Sequence, residues 1–294
     1  MNTSSTSQAM RSRPRNGPPV RAIAGVALLA ILAAGAAGFW YAFLRPAPAA
    51  VSLSNAAQAA SGAAATAGSS AAAALASAAA ASDPAAASDP AAAASSGTNA
   101  SVAAGAATGN LDGTWTVDTS IGSFSDFTNS FVGYRVQEEL ATVGAATAIG
   151  RTPNVSGSFT LEGTTITAVE ITADVTTLQS DNSMRDRQLG RQGLETDTYP
   201  TATFVLAEPI VLDALPADGG SIAVTANGEL TLHGQTRAVA IPLEAQLNGN
   251  VVTVVGSLEI VFGDYGMTAP SSMLVLGIDD HGILELQLHF TRAA

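Results

Sequence analysis

Cysteine and lysine are both absent from the 294 residues. The first absence excludes disulfides, thiolate metal sites and a cysteine nucleophile, so any exported domain must be held together by its own core. The second removes Schiff-base chemistry and leaves arginine as the only strong cation. Aromatic residues make up 5% of a chain that is 47% hydrophobic; alanine supplies much of that hydrophobic fraction, which confines a real core to part of the chain. The folded region has no Gly-x-Ser-x-Gly elbow, phosphate-binding Gly-Lys-Ser/Thr loop or Gly-x-Gly-x-x-Gly fingerprint. Asp279-Asp280 lacks the alternating oxygen ligands of a calcium loop, so turn chemistry suffices there. His233 and His281 in predicted turns and His289 on the polar side of the last strand are read as exposed and form no metal-ligand pattern.

Charge divides the chain. Arg11, Arg13, Arg15, Arg21 and Arg45 precede residue 46 with no acid among them; beyond Arg45 stand seven arginines against 24 acids, a formal −17. A surface so acidic repels phosphate backbones and argues against a nucleic-acid partner.

Three regions follow the basic segment 1–21. Residues 22–44 are 23 consecutive uncharged positions, about 34 Å as a helix and enough to span a bilayer. Arginines before it and the Phe39-Trp40-Tyr41 cluster near its C-terminal end, at the outer interface, predict a single-pass anchor in the cell membrane, N-terminus cytoplasmic and remainder extracytoplasmic. A cleaved signal peptide, with Pro46-Ala-Pro-Ala49-Ala50 as processing region, is the competing reading. The length of the apolar run and Arg45 at the cleavage position argue against it. Residues 45–110 are nearly all Ala, Ser, Gly, Thr and Pro and are expected to be a disordered linker without a core, reaching about 45 Å. Residues 111–294 hold the β-branched and large apolar side chains and are expected to be the folded domain.

Within that domain the period is two. Val169, Ile171, Ala173 and Val175 alternate with Glu170, Thr172 and Asp174; Val239, Ile241, Leu243, Ala245 and Leu247 form a second series. Leu284, Leu286, Leu288 and Phe290 oppose Glu285, Gln287 and His289, each series predicting one buried and one wet face. Hairpins are expected at Glu162-Gly163, Asn227-Gly228, His233-Gly234, Asn248-Gly249 and His281-Gly282. Pro242 belongs at an edge, a bulge or a non-bonded position. Ser180-Asp181-Asn182-Ser183 is placed to cap a short polar helix through Leu189. About seven to nine strands suit a closed barrel, although a two-sheet sandwich uses the same code.

In order along the chain, Trp115-Thr-Val-Asp118, Gly157-Ser-Phe159, Met184-Arg-Asp-Arg-Gln-Leu189, Tyr199-Pro200, Thr203-Phe204, Gly228-Glu-Leu-Thr-Leu-His-Gly234, Gly256-Ser-Leu-Glu-Ile260 and Phe262-Gly-Asp-Tyr-Gly266 resemble the YceI-like family over Leu111 to Arg292. The resemblance implies an all-β, antiparallel, lipocalin-like barrel with a short helical insertion, holding a long apolar molecule of the polyisoprenoid or isoprenoid-quinone class. The family commonly carries Arg-Asp-x-His-Leu where this chain has Gln188, and a histidine near the first long strand where this chain reads Phe131-Val-Gly-Tyr134-Arg135. A head group recognised elsewhere through those histidines has no such partner here.

The expected function is therefore a membrane-anchored, extracytoplasmic binding protein for an isoprenoid-like lipid or quinone, not an enzyme and without a cofactor. The alternatives are an envelope interaction module with a filled barrel and, third, a hydrolase of an envelope substrate. Arg185 and Asp186 match the family pattern and are candidates to orient a head group at the mouth; a structural ion pair pinning the helix is the competing reading. Tyr199, Phe204, Tyr265 and Met267 are candidates for the cavity wall, against ordinary core packing. Alternating Val, Leu and Ile can also make the wall unaided.

Overall fold

Wherever the sequence alternates with period two, the chain is extended. The computed structural model describes residues 47–62, 110–141, 144–270 and 275–292, all within the unit Ala47–Ala294. The strands are β1 Gly113–Val117, β2 Phe131–Leu140, β3 Gly144–Thr152, β4 Val155–Glu162, β5 Thr165–Asp174, β6 Thr201–Leu206, β7 Ile210–Val211, β8 Ser221–Leu232, β9 Gln235–Asn248, β10 Val251–Val261, β11 Val275–Ile278 and β12 His281–Arg292. The path β1-β4-β5-β6-β8-β9-β10-β12 returns from β12 to β1, closing an eight-stranded antiparallel barrel within the expected strand count. Closure pairs each barrel strand on both sides, except that the start of β8, before Gly228, has no strand partner on its β6 side.

The second edge of β12 is shared. β1 pairs Phe290 to Arg292 and β2 pairs Ile283 to Gln287. Between them the amide of His289 donates to the Ser130 hydroxyl at 2.9 Å, and its carbonyl accepts from Asp118 N at 2.7 Å, so the ladder stays satisfied where two strands part.

Three of the five glycine signals are hairpins, with positive φ at Gly163, Gly234 and Gly249. The other two correct the expectation. Gly228 lies inside β8, where a Cβ would meet the Val205 carbonyl at 2.4 Å and the Phe204 ring at 2.5 Å. Gly282 lies inside β12, where a Cβ would meet the Val136 side chain at 2.8 Å. Both are glycines of close approach, not of a turn. Pro242 falls where the β9–β10 ladder ends at Leu243↔Gly256.

The helical insertion forms as expected. Asn182 caps the helix Ser183–Gln188, its side chain accepting from Met184 N and Arg185 N, a cap worth about 1 kcal/mol. Leu189–Gly193 continues as a wide π turn. With the short helix Phe262–Tyr265, this insertion closes one end of the barrel. Val175, Leu194, Ala202, Leu230, Leu232 and Tyr265 pack there as one buried cluster. The other end carries the β4–β5 and β9–β10 turns, the segment 207–220 and the start of β1.

The predicted span 22–44 lies outside the described residues, as does most of the predicted linker; among the described residues no helix is long and apolar enough to cross a membrane. One part of 45–110 departs from a core-less tether. Residues 53–62 are helical, with Ala56, Ala57 and Ala60 buried, and Ala60 packs with Ile121 and Val251. Alanine can dock here because its small side chain lets a helix lie close to a surface already built by other residues.

That surface is the outer face of β10 and β12, where the expected wet face is also overturned. Glu285, Gln287 and His289 are 1%, 3% and 0% exposed. The segment 118–130 crosses over them. Gln287 Nε2 donates to the carbonyls of Phe127 and Asn129, and His289 Nε2 donates to the Thr128 carbonyl at 2.9 Å, leaving Nδ1 to accept from the Thr253 hydroxyl at 3.1 Å. Glu285 binds Arg135 at 2.7 Å and Arg151 at 2.6 Å. The Arg151 guanidinium lies 4.4 Å from the ring centres of both Phe127 and Phe131, and both arginines also donate to the Ala49 carbonyl. Alternation correctly separates the two faces of β12; it carries no information about a second layer laid over the outside.

Candidate ligand cavity

The inward face of the barrel is built from β-branched and leucine side chains at every second position of β5, β8, β9, β10 and β12. At the end away from the insertion, Trp115 stacks on Phe159 with ring centres 5.8 Å apart, and Phe290 meets Phe159 edge-on at 5.0 Å. Each such contact adds about 0.5–1.5 kcal/mol to simple burial. Between this aromatic group and the cluster at the insertion end the walls do not meet.

The cavity left between them measures about 160 Å³ as the space open to the centre of a water molecule. That is the scale of a cavity holding a benzene-sized molecule, below the ~300–1,000 Å³ of ordinary ligand pockets. Thr203 and Gln246 are the only residues with polar side chains on the wall apart from the indole of Trp115, whose N–H is already given to the Leu111 carbonyl at 3.0 Å. Val169, Ile171, Ile222, Val224, Leu243, Val254 and Leu286 line it and are only half-buried, because their remaining surface faces empty space. An apolar cavity of this kind holds no ordered water and favours hydrocarbon.

Its two ends differ. The insertion end is floored by Ala202 and Leu230, with Leu232 and Tyr265 packed behind. At the other end the cavity reaches Leu111, Leu215 and Pro216, all half-buried. The segment 207–220 contributes Ile210, Leu212, Leu215 and Pro216 to the wall and exposes Glu208, Asp213 and Asp218. β6 ends at Leu206 and β7 pairs only with β5, so this segment covers the part of β8 that β6 does not reach. The apolar side chains of 207–220 are wall residues that alternation could not indicate, since the segment has almost no strand.

Of the residues singled out in the sequence, Phe204 lines the cavity. Tyr265 is buried in the insertion-end cluster, with Met267 packed against it. Tyr199 lies against His233, ring centres 4.5 Å apart, and the His233 Nδ1–H donates to the Tyr265 carbonyl at 3.0 Å. Arg185 pairs with Glu138 at 2.6 Å and with Asp181, joining the helix to β2. Burial works against its charge, but the two carboxylates outweigh burial and hold its pKa above the ordinary value. Asp186 accepts from Ser180 N at 3.0 Å and from the Ser180 hydroxyl. Thus the structure brings Tyr199, Tyr265 and Met267 together behind the cavity floor, and engages Arg185 and Asp186 in holding the insertion. Of the histidines expected to be exposed, His281 is; the side chain of His233 is 11% exposed and His289 is buried.

Residues 115–290, more than half of the chain, match the family model of the YceI-like domain. UPF0312 proteins of Vibrio cholerae serotype O1 are 31% identical over 98 residues, covering 32% of this chain and 48% of theirs; the chain thus spans about half the length of these relatives. Among solved structures, a polyisoprenoid-binding domain from Saccharophagus degradans superposes with a TM-score of 0.47 at 18% identity, covering 62% of this chain and 99% of that one. Burkholderia cenocepacia BcnA gives a TM-score of 0.43 at 21% identity, with coverages of 59% and 98%. On the family match, whose first and last residues, Trp115 and Phe290, are two members of the aromatic group at the open end of the cavity, this chain belongs to the YceI-like family.

Proposed function

We propose that the barrel takes up a long apolar lipid of the isoprenoid class and holds it without chemical change, and that residues 22–44 anchor the chain in the cell membrane with the barrel on the extracytoplasmic side. The observation that carries the reading is an apolar wall left half-buried around an open interior, with no charged side chain among the described residues that line it. Filling the interior with hydrocarbon supplies the dispersion contacts that these half-buried side chains lack, and takes the ligand's own apolar surface out of water at about 25 cal/mol per Å². The isoprenoid class comes from the family resemblance. Because the open volume is small, a long chain enters only if the 207–220 segment and the half-buried aliphatic side chains spread apart. The same small volume favours the runner-up, an interaction module with a filled barrel.

The test uses the full-length chain from a membrane fraction. Alkaline washing should leave the protein in the pellet, and organic extraction of the purified protein should yield a polyprenyl or quinone species in stoichiometric amount by mass spectrometry. Replacing Ala245 on the cavity wall by phenylalanine should abolish that recovery while leaving the fold intact. No lipid from the wild type, and no uptake of added polyprenol, would leave the interaction module as the better account.

A further inference from the structure

The charges around the open end of the cavity are predominantly acidic. Asp112, Glu162, Glu208, Asp213 and Asp218 belong to the segments surrounding Leu111, Leu215 and Pro216. Two of the five are clips between those segments: Asp112 accepts from Gly163 N and Asp218 from Gly249 N, each at 2.6 Å. Glu162, Glu208 and Asp213 are exposed, and their carboxylates make no hydrogen bond or ion pair among the described residues.

Arginine does not balance them. Arg292 reaches this end and keeps its charge, one cation against five carboxylates, its guanidinium donating to the carbonyls of Asn110 and Asp112 at 2.6 and 2.7 Å. Arg135 and Arg151 are held by Glu285 on the outer wall. Arg185, Arg187 and Arg191 belong to the insertion at the far end, and Arg237 donates there to the Asp264 carbonyl. Among the described residues no cation lines the cavity, and the Gln246 amide nitrogen is committed to the Gly219 carbonyl at 2.8 Å.

We infer that the barrel is selective for an uncharged isoprenoid, an alcohol or a quinone, and discriminates against the phosphate or diphosphate ester of the same chain. The inference rests on the lipid reading above and narrows it. A phosphate drawn inside would lose its hydration without a donor or cation to replace it. One left at the rim would sit among carboxylates, within the ~8 Å over which charges act on each other at physiological salt. A neutral head group meets neither obstacle.

The experiment measures competition between a polyprenol and the monophosphate ester of the same polyprenol for the full-length protein carrying Trp40→Phe, in nonionic detergent, read by the fluorescence of Trp115 in the cavity wall. At low salt the alcohol should bind on the order of tenfold more tightly, with the ratio shrinking as salt rises. The variant E162Q/E208Q/D213N, which leaves both clips in place, should bring the ratio several-fold closer to one. Equal affinity, or tighter binding of the phosphate, overturns the inference and leaves the lipid reading standing. A ratio that neither salt nor the triple variant moves overturns the assignment to rim charge. Failure of both probes to bind removes the lipid reading and this inference together.

Discussion

On β12, Leu284, Leu286, Leu288 and Phe290 look into the barrel, while Glu285, Gln287 and His289 look out. Ordinary expectation makes the first set dry and the second wet, yet Leu286 is half-buried and the polar three are nearly inaccessible. β10 repeats the inversion: Val252 and Val254 inside are half-buried, whereas Val251, Thr253 and Val255 outside are buried. The outer wall is a completed structure, its polar groups matched by the 118–130 segment and by main-chain carbonyls near residue 49. The inner wall is unfinished. The two faces of one strand thus serve different ends: the polar face is sealed by a second layer, and the apolar face lines the cavity.

The comparison breaks most sharply at Glu285. Its carboxylate neutralises one of two arginines, the buried Arg151 and the half-buried Arg135, and bonds both, and burial already pushes the Arg151 pKa below its usual value. Glu285→Ala leaves two guanidinium groups under the outer layer without a counter-charge and should cost about 3–5 kcal/mol in chemical denaturation. An inner-wall exchange of similar size, such as A245F, should cost far less. Equal losses would mean that the two walls do not differ as described.

Arg185→Ala comes next. It strips the partner from Glu138, whose side chain is 4% exposed, while the bond to the exposed Asp181 contributes little. A loss of about 1.5–3 kcal/mol is expected. Lipid recovery per folded molecule should not change, because Arg185 is not on the cavity wall. A fall in recovery at unchanged stability would instead restore Arg185 as a ligand residue.

How much of this was legible beforehand follows from what a sequence encodes locally. Alternation marked Ile171, Leu243, Leu247, Leu286 and Leu288 as one face, and that face is the cavity wall. Glycines 163, 234 and 249 were readable as turns because each needs positive φ, whereas Gly228 and Gly282 serve neighbours distant in sequence. Arg185 and Asp186 stood out as a motif, and their partners Glu138 and Ser180 could not be named without the fold. The sealing of Glu285 and His289 depends on segments up to 236 residues away in the case of Ala49 and Glu285, and no periodicity reports a contact of that range. The 207–220 segment was opaque because it is nearly strand-free.

His289 offers the smallest and most specific probe of the outer wall. Burial lowers its pKa below the ordinary 6.5, opposed by the hydrogen bond to Thr128 and by the charge of Asp118. Between that lowered value and 6.5 the unfolded chain binds a proton that the folded chain refuses, so the unfolded state gains as the solution is acidified. Stability from this residue is therefore fully present above about pH 6.5 and is lost progressively as pH falls toward the folded pKa. Asp118 does not blur the measurement, since its own pKa is held below 3.8 and it titrates in a lower window. Denaturation midpoints of the full-length protein at pH 7.5 and pH 5.5 should fall with acidification in the wild type. His289→Gln should be less stable at both values because it gives up the paired bonds to Thr128 and Thr253, but its midpoint should lose the dependence that belongs to the imidazole. A wild-type midpoint that falls no more than that of His289→Gln, in which the opposite contribution of His281 is the same, would show that water reaches His289 and that the outer wall is not sealed where the inner wall is open.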